Sequence, residues 1–308
     1  MSASLFSSRR IRRMPSVSYA GKRTVGIVAA GLQRTLGSRA NHPGIFVYHR
    51  VTDAVRGVPT PTMNVPPARF RAQLSGLLAK GYQPVSISEL LAHHEASTPV
   101  EPRCFAVTFD DCFENVYTQA WPVLRDLKIP TTLFANTAFL GQDRPFPFDS
   151  WGSANADAVP ADAYRPLTVA QCREMAASGL VEIAAHTHTH ADFRGRPDAL
   201  RDDLHTCVEA IRSLFGSERV TFAFPFGRKA LGYVDEELML AARETGVVCA
   251  LTTEAELVDV KSDPFGWGRF NAYSWDTAST LAAKLGGWYG WAPRLQERLA
   301  GAIRGRRS

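Results

Sequence analysis

Residues 104–111 read CFAVTFDD: an apolar run rich in β-branched and aromatic side chains that stops abruptly at two carboxylates, Asp110 and Asp111. Such a run belongs inside a fold, and two adjacent acids at its end must be paired, hydrated or bound to a cation, because burying bare charge is costly. Similar runs recur on both sides, at 44–51 (GIFVYHRV), 131–135 (TTLFA), 181–186 (VEIAAH), 220–225 (VTFAFP) and 247–253 (VVCALTT). Amphipathic stretches separate them. Residues 66–80 begin with two prolines, bury Phe70, Leu74, Leu77 and Leu78, and stop at Gly81. Residues 168–178 open on Thr168 and Gln171 as a capping box and stop at Gly179. Residues 198–215 carry Leu200, Leu204, Val208, Ile211 and Leu214 before Gly216, and 235–245 run from Asp235 as cap to Gly246. The alternation predicts βα units around a parallel sheet.

The reactive residues fall in one kind of place. His49, Asp110 with Asp111, the stretch His186 to His190, and Pro225-Phe226-Gly227 each end a different expected strand. In a parallel barrel those ends share one face. The aspartate pair has a plainer reading, as a cap for a helix beginning near Asn115. The stretch His186-Thr187-His188-Thr189-His190 holds three of the eight histidines. A helical turn would bring His186 and His190 within about 5–6 Å on one side, whereas an extended backbone would project all three together. Two neutral imidazoles and one carboxylate leave the open coordination position of a hydrolytic zinc, and the second aspartate is then free to act as base.

The 308 residues, 45% of them hydrophobic, suffice for one large closed body. Their charge is uneven. Residues 1–40 carry eight Lys/Arg and no acid, and residues 294–308 carry five Arg against Glu297, giving +8 and +4; the stated net of +5 leaves −7 on residues 41–293. Basic ends on an acidic body argue against a nucleic-acid enzyme and suit contact with an anionic membrane, although solvated disordered ends would look the same. The chain is expected to divide into a basic tail (1–40), a catalytic domain (41–275) and a basic extension (276–308). Within the tail, residues 24–36 place Val25, Val28, Leu32 and Leu36 near a helical period, as a helix covering the body or resting on a membrane. No apolar run is long enough to span a bilayer, and the first residues lack a secretory pattern, so a cytoplasmic location is expected. Cys104, Cys112, Cys172, Cys207 and Cys249 are odd in number and scattered, which predicts reduced thiols. Residues 141–166, rich in Pro, Asp and Ala with aromatics, read as an insertion or lid that could line a cleft.

TFDD at 108–111, HTHTH at 186–190 and FAFPFG at 222–227, in this order and spacing, resemble the polysaccharide deacetylase family (the NodB homology domain) over about residues 44–270. The resemblance implies a distorted (β/α) barrel that removes acetyl groups from N-acetylated sugars, N-acetylglucosamine-type, of a polysaccharide or oligosaccharide. It implies Asp110 as general base and a divalent metal, usually zinc, held by Asp111, His186 and His190, with His188 at a variable position. The turn Pro225-Phe226-Gly227 would line the substrate cleft, the Phe226 N–H helping to hold the oxyanion. Three departures stand out. Cys112 occupies the place of a usual glycine. No histidine follows His205, so the general acid is assigned to His49, as in the subgroup acting on poly-N-acetylglucosamine. Phe222-Ala223-Phe224 stands where many relatives carry an arginine that orients the catalytic aspartate; Arg269, in PFGWGRF, could substitute, but a surface salt bridge is the simpler expectation for it. Two other functions fit the pattern: a deformylase or deacetylase of a lipid-linked sugar, which the basic ends would suit, and a catalytically silent glycan-binding relative.

Overall fold

A computed structural model describes residues 19–36 and 42–289. Its strands are β1 (Gly44–Tyr48), β2 (Arg50–Val51), β3 (Asn64–Val65), β4 (Gln83–Pro84), β5 (Cys104–Asp111), β6 (Thr131–Ala135), β7 (Val181–Ala185), β8 (Thr221–Ala223), β9 (Cys249–Leu251) and β10 (Phe270–Asn271). Its α-helices are α1 (Tyr19–Leu36), α2 (Pro67–Ala79), α3 (Ile87–Glu95), α4 (Trp121–Leu127), α5 (Ser150–Asn155), α6 (Val169–Ala177), α7 (Pro197–Phe215), α8 (Glu236–Glu244) and α9 (Ala278–Leu285).

All six expected runs form strands, and every pairing between them is parallel, in the order β10-β1-β5-β6-β7-β8-β9 with β4 also alongside β5. A parallel bridge between Leu251 and Trp267 brings the two edges of the curled sheet together. The architecture is a distorted (β/α) barrel. β5 is buried along its whole length, so no polar alternation was available to it: both of its faces are covered.

The helices follow from local chemistry. Thr168 and Gln171 form the reciprocal capping box of α6, and Asp235 accepts from the Leu238 N–H at the start of α8. On α7, Leu200, Leu204, Cys207, Val208 and Ile211 make one buried stripe, each large aliphatic side chain contributing about 1.5–3 kcal/mol by leaving water. That stripe packs against β7 and α8 and fixes the loop after β7.

Two expectations need adjustment. α1 does form over the predicted stretch, but its packed face is Gly26, Ala29 and Leu32, while Val28 points outward; the Leu36 side chain lies outside the described set. A Cβ at Gly26 would meet Trp275 and Thr280 at 3.5 and 3.6 Å, so small residues let α1 approach α9 closely, which a count of apolar residues overlooks. α9 falls in the segment set apart as an extension, yet Leu281, Ala282 and Leu285 join the main core. The basic stretches 1–18 and 290–308 lie outside the described residues.

Candidate active site

Asp110 and Asp111 are consecutive on β5, and a regular strand would aim them at opposite faces. Asp111 instead has φ +70° and Cys112 φ +60°, a left-handed kink that turns both carboxylates toward the end of the barrel. Neither caps a helix. Arg269 is wholly buried, not at the surface as expected: Nη1 donates to Asp110 Oδ1 at 2.6 Å and Nη2 to Oδ2 at 2.8 Å. The fork is held in turn, since Nε donates to the Thr252 carbonyl at 3.0 Å and Nη1 also to Thr108 Oγ1 at 3.2 Å. Burial alone would raise the Asp110 carboxyl, but the Arg269 guanidinium holds it well below the usual carboxylate range. Burial raises Asp111.

The His186 to His190 stretch is neither helical nor extended. Thr187 and His190 sit at φ +67° and +54°, and the turn is clamped from α7, where Asp203 accepts from the His188 and Thr189 N–H groups and the Thr189 hydroxyl. From beyond β6, Asn136 donates to the His186 carbonyl. This backbone selects two histidines of three: His186 and His190 converge with ring centroids 5.1 Å apart, whereas His188 turns away to Thr137 Oγ1. His186 Nδ1 lies 2.7 Å from the Ala223 carbonyl, which can only accept, so the proton is on Nδ1 and the Nε2 lone pair faces the carboxylates. Burial lowers both imidazoles, His190 to about 4, keeping them neutral.

His49 follows β1 and is partly exposed, with Nδ1 buried and making no hydrogen bond among the described residues. Burial lowers its imidazole, while the nearby carboxylates of Asp111 and Asp110 pull the other way. The next residue, Arg50, is buried and paired with Asp149 at 2.7 Å, its guanidinium over the Phe113 ring at 4.1 Å. Asp149 also caps α5, and Trp151 Nε1 donates to the Pro59 carbonyl, so residues 141–166 are anchored to Pro59 and to Arg50, the residue next to His49.

Cys112 takes a backbone conformation that glycine adopts without strain, at a cost of about 1 kcal/mol for any other residue. Its thiol is fully buried, and burial pushes it well above its ordinary range. We therefore expect no alkylation of Cys112 by iodoacetamide at pH 8 in the folded protein; rapid labelling in a peptide-mapping experiment would contradict this placement.

Beyond β8 the Pro225-Phe226-Gly227 turn lines the rim. Phe226 has φ +63°, is 45% exposed, and its N–H donates to nothing among the described residues. Gly227 is required: a Cβ there would lie 2.8 Å from the Thr253 nitrogen. The Phe226 ring stands edge-on to His190 at 5.0 Å and against Tyr233 at 4.6 Å, and Phe148, 39% exposed, stacks on His190 at 4.2 Å. The rim beside His190 therefore carries aromatic, apolar walls.

Asp111, His186 and His190 bring one ligand atom each to within 4.8 Å of one another. Asp111 Oδ1 lies 3.6 Å from His186 Nε2 and 3.4 Å from His190 Nε2. Atoms each about 2.0–2.2 Å from a tetrahedral zinc stand roughly 3.3–3.6 Å apart. The same Oδ1 is buried without a hydrogen bond among the described residues, which an ion would satisfy. The donor set fits a divalent metal such as zinc.

Several contributors had little signal in the sequence. Asp203 reads as one acid on a charged helix face, and Phe148 as part of an insertion. Arg50 had a hint, a lone cation inside the run GIFVYHRV.

The chain is similar to known proteins in both sequence and fold. The family described as Polysaccharide deacetylase matches residues 97–250. A putative polysaccharide deacetylase, YxkH of Bacillus subtilis (strain 168), is 24% identical over 211 residues, 68% of this chain and 64% of that protein. The poly-beta-1,6-N-acetyl-D-glucosamine N-deacetylase of Escherichia coli (strain K12) is 33% identical over 125 residues, 41% of this chain but 18% of that protein. The chain thus spans less than two thirds of either relative. Among solved structures, the Streptococcus pyogenes deacetylase PplD in complex with acetate superposes with a TM-score of 0.65 at 18% identity, covering 79% of this chain and 98% of that one. IcaB from Ammonifex degensii gives 0.65 at 22% identity, covering 80% and 98%.

Proposed function

Because the chain belongs to the polysaccharide deacetylase family, we propose that it is a metal-dependent hydrolase removing acetyl groups from N-acetylglucosamine-type sugars of a polysaccharide or oligosaccharide. One observation carries the proposal: a carboxylate oxygen of Asp111, buried and without a hydrogen bond among the described residues, lies 3.6 and 3.4 Å from the Nε2 atoms of two neutral imidazoles, distances that suit one ion. Asp111, His186 and His190 would hold a divalent metal such as zinc, which would supply Lewis acidity toward water and toward the amide carbonyl.

The chain's own groups divide the remaining work. Arg269 occupies one lone pair on each Asp110 oxygen, which leaves Asp110 oriented and able to take a proton from the attacking water. As the water oxygen bonds to the acetyl carbon, the developing oxyanion receives the Phe226 N–H. His49 gives a proton to the departing nitrogen, the carbon–nitrogen bond breaks, and acetate and a free sugar amine result. Phe148, Phe226 and Tyr233 hold the ring and exclude water from one side. The substrate class is supported by the name of the Escherichia coli relative, and the arginine missing before Pro225 has a counterpart in Arg269.

Chelation should abolish acetate release from N-acetylated oligosaccharides, and zinc should restore it, with loss of acetyl mass on the product. A pure protein that retains no zinc and releases no acetate after zinc is added would sink the proposal.

A further inference from the structure

α1 carries no acid; its charges are the basic Lys22, Arg23 and Arg34. Its inner face, Gly26, Ala29 and Leu32, packs on α9 and the segment behind it, where Ala29 clusters with Ala283 and Trp288. Its outer face is the stripe Thr24, Ile27, Val28, Gly31 and Thr35, every one exposed, with Ile27 at 57% and Val28 at 49%. The helix contains no Asp or Glu, and Arg23 stands exposed beside the stripe. A helix that only covers a soluble body normally turns acids as well as bases outward, whereas every charge on α1 is basic. Even the Thr35 hydroxyl is satisfied within the helix, donating to the Gly31 and Leu32 carbonyls, so the stripe can leave water without stranding that donor.

The topology adds a second observation. The segment preceding Tyr19 contains Arg9, Arg10, Arg12 and Arg13, and the segment following Tyr289 contains five arginines and one glutamate. These stretches are far apart in sequence, yet both join the fold at α1: one continues directly into it, and the other departs just after Trp288 and Tyr289, which pack against it. A Cβ at Gly286 would touch the α1 side chain Gln33 at 2.9 Å. Chain segments of +4 on each side, one before Tyr19 and one after Tyr289, are therefore tethered beside one exposed stripe without acids, on a body that is otherwise negative.

We infer that α1 is an interfacial helix, and that its Ile27/Val28 face docks on the surface of an anionic lipid bilayer, with the basic ends of the chain supplying the electrostatic attraction. A second copy of the chain fits less well, because a symmetric contact through this face would bring two sets of basic segments together. A nucleic acid would answer the charge but not the apolar stripe. The inference does not depend on the catalytic proposal.

The test uses the full chain with vesicles of phosphatidylcholine alone and with one third phosphatidylglycerol. The protein should sediment with the anionic vesicles, weakly or not at all with the neutral ones, and less at high salt. Ile27→Glu combined with Val28→Glu should reduce binding about tenfold or more, as should serine at Arg9, Arg10, Arg12 and Arg13. Melting temperature and acetate release from a soluble oligosaccharide should stay unchanged in both variants, which separates lost docking from lost folding. Equal binding to both vesicle types would overturn the inference, as would variants that bind like the parent, or a dimer in sedimentation velocity that the Ile27/Val28 substitutions dissociate.

Discussion

Replacing Arg269 with alanine is expected to lower kcat/KM for acetate release by at least about a hundredfold and to destabilise the fold by roughly 3–5 kcal/mol, because it leaves a buried carboxylate without its partner. Asp110 and Arg269 are both almost completely shielded from water, so solvent screening does little to soften the loss. In a protein of 308 residues the change should appear as a fall in melting temperature of roughly 5–8 °C. Arg269→Lys keeps the charge but not the two-pronged geometry or the bond to the Thr252 carbonyl, and should fall between the parent and the alanine variant. The expected signature of orientation is a loss in kcat with KM and zinc content little changed. An alanine variant that melts and turns over like the parent would show that this pair does not position Asp110.

Among substitutions of the acids and imidazoles, those at Asp110 should separate cleanly from those at Asp111 and His186. Asp110→Asn keeps an oxygen for Arg269 and should retain zinc at full stoichiometry while losing activity by about 10³–10⁴-fold, within the range attributed to a lost general base. Asp111→Ala and His186→Ala should lose zinc as well as activity, measured by elemental mass spectrometry on the purified variants. His49→Ala should retain zinc and lose activity on sugars, with a smaller loss on 4-nitrophenyl acetate, whose phenolate departs without a proton. Full activity in Asp110→Asn would show that the base lies elsewhere.

Much of this was legible because strand ends are legible. An apolar run that stops at Asp110 and Asp111, and another that stops at His186, identify the end of a parallel barrel before any coordinates, since only a parallel arrangement gathers those ends on one face. The His186 to His190 stretch was ambiguous for a local reason: helical and extended backbones place its rings differently, and the left-handed turns at Thr187 and His190 belong to neither. The selection between His188 and His190 is made by Asp203 and Thr137, one on a helix fourteen residues on and one beyond the neighbouring strand. Arg269 was misjudged because its partner is 159 residues away and nothing beside it in the sequence marks it as buried. The α1 face was misassigned because close packing by Gly26 and Ala29 carries no hydrophobic signal.

The pairing of β1 with β10, Phe46 beside Phe270, has a consequence for how the molecule is made. A ribosome adding about 5–20 residues per second takes roughly 8–30 s to travel from Asp110 to Arg269. Throughout that interval the emerging chain presents an apolar, unpaired β1 edge and an acid with no cation, the features that invite association between nascent chains. The paired Asp110–Arg269 site is therefore acquired only after Arg269 has been made, and slower translation should lengthen the exposure of that edge and lower the soluble yield.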